Sequence, residues 1–184
     1  MSTQPLEMAI EAAKATLANV DTSQLSSSTP CASWDVSALI NHMVGANGFF
    51  AAGVAGTPPP AEEDHAAGDF QQAFSNAAGS LLTALQADGA LEKTYQLPFG
   101  EMPGAALMGL AATDTFQHAW DLAKATGQST DLNPQLAAGL LAESKAAISA
   151  DFRGPEGAPF GTEQSAPEGA CAADQLAAFL GREV

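Results

Sequence analysis

Asp114 and His118 stand four residues apart in a run whose apolar residues repeat at helical spacing. Leu107, Leu110, Ala111, Asp114, His118, Asp121, Leu122 and Ala125 fall on one stripe of a helix with about 3.6 residues per turn, so the polar members are expected on its buried side. A carboxylate there needs a partner, since burying even a neutral polar group unpaired costs roughly 2–7 kcal/mol. The chain has three histidines, and His42 shares an apolar face with Leu39, Met43 and Ala46. Two imidazoles and a carboxylate meeting between helices suit one divalent cation held by His42, Asp114 and His118. Such a set leaves a coordination position open, as catalytic sites do. Zn²⁺ is the first choice of ion, and Ni²⁺, Fe²⁺ or Mn²⁺ would accept the same ligands. A hydrogen-bonded His–Asp pair without metal fits the spacing equally well, and the residues alone leave both readings open.

Asp121, three residues past His118, is expected to support the site by orienting a ligand histidine; a fourth ligand, or a pairing with a basic group elsewhere, is the alternative. His65 lies in an acidic stretch with Glu62, Glu63 and Asp64 and reads as a solvated surface residue. Trp120 and Phe116 read as core. Cys31, just before a helix, reads as a small core residue, with a reactive thiol as the minority alternative.

These side chains need helices to position them. Alanine dominates the apolar fraction and strand formers are sparse, which predicts an α-rich fold. A first helix is expected over residues 4–19, followed by a Ser/Thr-rich connector over 22–30. Asp35 suits the N-cap of a second helix running towards Gly56, with Trp34 packing as a staple on Leu39. Pro58, Pro59 and Pro60 end it. Residues 61–66 are expected to open a third helix that runs to about Leu85, and residues 93–103 offer the one short hairpin. The fourth helix spans Pro103 to about Ala125, with Gly127 as its stop. Asn133 and Pro134 open a fifth. Residues 152–170 read as an irregular arm before a short terminal helix over 172–180.

The net charge of −15, from 21 acidic and 6 basic residues, argues against nucleic acid and against an anionic membrane surface. The N-terminus shows neither the basic nor the apolar region of a signal peptide, and no stretch reads as a membrane span, so a cytoplasmic protein is expected. Cys31 and Cys171 show no CxxC spacing and no disulfide framework.

The segment Thr29, Pro30, Cys31, Ala32, Ser33, Trp34, Asp35, Val36, then Leu39 and His42, resembles the start of the second helix in the mycothiol-dependent maleylpyruvate isomerase N-terminal-like group. Asp114 and His118, followed by Ala119, Trp120, Asp121, Leu122, Ala123, Ala125, Thr126 and Gly127, resemble that group's fourth-helix motif. Phe160 and Gly161, with Ala178 to Arg182, resemble its small actinobacterial metal-binding branch. The resemblance implies a DinB-like four-helix up-down bundle with a long crossover. A metal-binding bundle over 1–130 would carry a C-terminal helical extension over 131–184. It implies a metal on His42, Asp114 and His118, where many relatives carry Glu in place of Asp114. It also implies an enzyme using a low-molecular-weight thiol, mycothiol or a similar one, for S-transfer to or isomerisation of a small electrophile. The alternatives are a non-enzymatic metal- or ligand-binding bundle and a metal-assisted hydrolase. Relatives of this kind often form homodimers, and no apolar stripe in this sequence requires one.

Overall fold

The computed structural model describes residues 2–154 and 160–184; residues 155–159 of the expected irregular arm lie outside the described residues. Helix α1 (Gln4–Leu17) carries Pro5 in its first turn and buries Leu6, Ala9, Ile10, Ala13 and Leu17. Helix α2 (Val36–Ala55) is capped by Asp35, whose side chain accepts from Ala38 N at 2.8 Å, and is stopped by Gly56 at φ 68°. Helix α3 (Phe70–Gln86) buries Phe70, Phe74, Ala78, Leu81 and Leu85. Strands β1 (Thr94–Leu97) and β2 (Gly100–Pro103) form the hairpin, pairing Thr94 with Pro103 and Leu97 with Gly100. Helix α4 (Gly104–Ala125), helix α5 (Pro134–Ala147) and helix α6 (Ala172–Phe179) complete the chain.

α1 packs on α4 and α3, while α2 packs on α3 and α4. The four helices therefore close a ring in which α1 and α2 stand diagonally, and the link between them crosses the bundle end. α4 is the most deeply set: every residue from Thr115 to Ala123 is buried. A helix buried all round needs neighbours on every side, and α5 and α6 supply the remaining one by packing on each other and on α4. The hairpin lies on α2, with Leu97 so close over Gly53 that a side chain there would collide with it.

The third helix begins later than expected. Residues 61–64 are irregular, 65–67 make a single 3₁₀ turn, and Gly68 ends that turn. Asp69 is the cap, accepting from Gln72 N at 3.0 Å. The acidic stretch is instead tied to α2: Asn41 Nδ2 donates to Asp64 Oδ1 at 3.1 Å, and Asn41 Oδ1 accepts from Ala66 N at 2.9 Å. Among the described residues α2 is also the one helix long and apolar enough to cross a membrane, by length and composition. Here its apolar face, including Leu39, Ile40, Met43 and Val44, is buried against the bundle.

Candidate metal centre

Two turns into α2, His42 faces the middle of α4. His42 Nε2 lies 3.7 Å from Asp114 Oδ1, and His118 Nε2 lies 3.6 Å from the same oxygen. Both separations are too long for a hydrogen bond. Each of the three residues thus offers a ligating atom within 4.8 Å of the others. His42 Nε2 is buried and has no hydrogen-bond partner. An orphaned imidazole nitrogen beside a second Nε2 and a carboxylate oxygen is the donor set that a divalent cation accepts, at about 2.0–2.2 Å per bond. The residues therefore fit such an ion. The set is half open to solvent: side-chain exposure is 33% at His42, 24% at Asp114 and 10% at His118.

Behind this set lies a second layer. Asp121 is fully buried, and its Oδ2 lies 2.9 Å from His118 Nδ1. In the neutral tautomer His118 Nδ1–H donates to Asp121, which leaves the Nε2 lone pair facing Asp114. Asp121 also accepts from Arg182 Nε at 3.1 Å and Nη2 at 3.0 Å, from Gln117 Nε2 at 3.2 Å and from Cys31 Sγ at 3.3 Å. Cys31, His118 and Asp121 form a second cluster of ligating side chains. There the guanidinium already supplies the positive charge, so the first cluster is the one left wanting a cation.

Electrostatics follow this layout. Burial pushes the Asp121 carboxyl up, but His118 and Arg182 outweigh it and hold the group down at about 2. Burial opposes charge on His118 too, yet Asp114 and Asp121 raise its pKa to about 10. Asp114 is also below its ordinary value: burial raises it, and the two imidazoles with Arg182 lower it further.

The structure brings His42, Asp114, His118 and Asp121 together. His65 is half-buried in a 3₁₀ turn, more covered than a solvated surface residue, while Trp120 and Phe116 are fully buried in the core. One expectation, that for Cys31, is corrected, and Trp34 takes a place beyond its contact with the core. Trp34 stands over His42, with ring centres 4.5 Å apart, and is 5.7 Å from the His118 ring; it walls the site. Cys31 is half-buried against Asp121 and Arg182 rather than in the apolar core. A basic partner for Asp121 is among the sequence alternatives, but the sequence does not single out Arg182 as that partner. Its place depends on Gly181, at φ 98° and pressed against Gly161, which turns the chain after α6 so that the side chain reaches α4. The signal available was scarcity: in a chain with six cations, one near a buried Asp pairs with it.

A family model described as the mycothiol maleylpyruvate isomerase N-terminal domain matches residues 6–123. Two uncharacterised proteins of Mycobacterium tuberculosis, from strains CDC 1551 and H37Rv, are each 45% identical over 181 residues, covering 97% of this chain and 96% of theirs. A crystal structure of the mycothiol-dependent maleylpyruvate isomerase matches with a TM-score of 0.58 at 14% identity, over 76% of this chain and 66% of that one. A histidine-to-alanine mutant of that isomerase matches with a TM-score of 0.59 at 14% identity, over 88% and 72%. At that identity the likeness is one of fold, and it agrees with the helical bundle expected from the sequence.

Proposed function

Because the chain belongs to the mycothiol maleylpyruvate isomerase N-terminal domain family, we propose that it is a divalent-metal-dependent enzyme. In this reading it activates a low-molecular-weight thiol, mycothiol or a close analogue, for S-transfer to or isomerisation of a small electrophile. The observation that carries the reading is the buried, unpartnered His42 Nε2, aimed with His118 Nε2 at one oxygen of Asp114. His42, Asp114 and His118 would hold the ion, Zn²⁺ by preference. When bound there, the cation would keep the cosubstrate sulfur as thiolate at neutral pH, where a free thiol titrating near ~8.5 is mostly protonated.

The remaining work falls to the chain's own residues. Asp121 fixes the tautomer and orientation of His118, and Arg182 keeps Asp121 ionised. Trp34 covers one side of the two imidazoles and limits water there. The half-exposed side of His42 and Asp114 is where a thiol and an electrophile would meet. A cytoplasmic setting belongs to this reading and agrees with two unpaired cysteines.

Elemental analysis of untagged protein should find about one divalent ion per chain. Metal-loaded protein with mycothiol should consume small electrophiles faster than thiol and metal alone. Absence of thiol-dependent turnover across a broad panel would overturn the enzyme assignment. The same half-exposed opening admits water, so metal-assisted hydrolysis is the second reading; it predicts turnover without any thiol.

A further inference from the structure

We propose that the groove beside this centre takes an uncharged, apolar electrophile and turns away dicarboxylates. The inference rests on the reading above and concerns which substrate that same site accepts. An open groove of about 1500 Å³ extends from His42 and Asp114 along α2 and α3. Its apolar lining includes Ala46, Phe49 and Phe50, and residues 57–65 border it. On that border Glu62, Glu63 and Asp64 are exposed carboxylates. The segment is anchored at Asp64: Asn41, the neighbour of His42, bonds both Asp64 and Ala66 N. Pro60 sits against Gly48, where a Cβ would come within 3.0 Å of the proline ring.

Among the described residues, no lysine or arginine lines the groove. The chain has only six such residues, and five have their own partners. Lys14 pairs with Glu11, Lys124 lies over Trp120, and Lys145 lies over Phe179. Arg153 binds the carbonyls of Gly161 and Phe179, and Arg182 binds Asp121. The sixth, Lys93, precedes the hairpin and is not part of the lining. Recognition of a carboxylate calls for a guanidinium, an ammonium or convergent N–H donors. Maleylpyruvate, from which the family takes its name, is a dicarboxylate at neutral pH. In this groove its two charges would face the carboxylates of Glu62, Glu63 and Asp64, with the cation held by His42, Asp114 and His118 as the counter-charge. Each like pair across about 8 Å of water and salt disfavours binding by a small factor, and together they give about tenfold or less.

The test reads binding, not turnover. Maleate and its uncharged dimethyl ester are titrated into the full-length protein, with and without Zn²⁺, followed by tryptophan fluorescence and ligand-observed NMR. At about 20 mM salt the ester should bind several-fold to about tenfold more tightly, and at about 300 mM the gap should narrow. Charge reversal at two exposed positions, Glu62→Lys with Glu63→Lys, should close most of it. Maleate binding as well as the ester, a gap indifferent to the reversal, or binding of neither ligand would overturn the proposal. Charge selection without thiol-dependent turnover would leave it standing and sink the enzyme reading instead.

Discussion

His118 has to exchange a proton for a metal. Burial disfavours its charged form, but Asp114 and Asp121 raise its pKa to about 10, so the metal-free ring is charged at neutral pH. A group whose pKa is raised on folding stabilises the folded state fully below its unfolded value, about 6.5. That stabilisation is lost as pH rises towards 10. We therefore expect the melting temperature of metal-free protein to fall between about pH 7 and 10. Saturating Zn²⁺, or the variant His118→Gln, should flatten this fall. A metal-free wild type with a pH-independent melting temperature over that range would contradict the charge balance drawn for the site. Asp121 acts at the other end: held at about 2, its contribution is present above about 4 and is lost only as pH falls through 2. The ligands themselves are checked by substitution. His42→Ala or Asp114→Ala should cut bound metal from about one per chain to near zero while far-UV circular dichroism stays helical, because both side chains sit at the half-open edge of the core. Asp114→Glu, which keeps a carboxylate ligand, should retain metal.

The elements explain how such side chains reach one point. His42 lies two turns inside α2, and the start of that helix is set by Asp35, which binds Ala38 N. Asp35→Ala should cost about 1 kcal/mol of stability in urea unfolding. It should also loosen Trp34, seen as a change in its fluorescence on metal addition. The stripes of α1, α2 and α4 are legible in the sequence because each has a period that matches its buried face, and α2 and α4 also have a cap or stop residue. His42, Asp114 and His118 could be read for the same reason: on a helix, spacing fixes direction. The start of α3 was not legible, because the acids of residues 61–66 suit a helix N-terminus as well as Asp69 does. What decides between them is Asn41, on another helix, which draws Asp64 and Ala66 towards α2. Trp34 and Cys31 sit before a helix, where periodicity gives no direction, so their place at the site had to come from tertiary structure. Arg182 meets Cys31 from 151 residues away, a pairing that no local pattern encodes.

The whole chain adds what the four-helix ring lacks. The family model ends at residue 123, yet α4 is completed by groups from beyond it. Trp120 Nε1 donates to Asp174 at 2.8 Å, and Arg182 clamps Asp121. On our proposal that residues 1–130 form the metal-binding bundle and 131–184 its extension, the extension holds the back of the metal centre. Without it, Asp121 would keep His118, Gln117 and Cys31 but lose its guanidinium partner, and the wall of α4 that packs on α5 and α6 would be bare. Arg182 is 18% exposed, so its pairing with Asp121 is little screened by water. Removing one partner of a buried pair typically costs about 3–5 kcal/mol, and Arg182→Met should fall near the lower figure because Gln117 and Cys31 still donate to Asp121. The same variant should weaken Zn²⁺ binding about tenfold or more, as substitutions behind ligand histidines do. Arg182→Lys should restore part of both. A fragment of residues 1–130 should show the two losses together, with a lower melting temperature and weaker metal binding than the full chain. Metal binding by that fragment at full strength would mean that the extension stabilises the bundle without shaping its site.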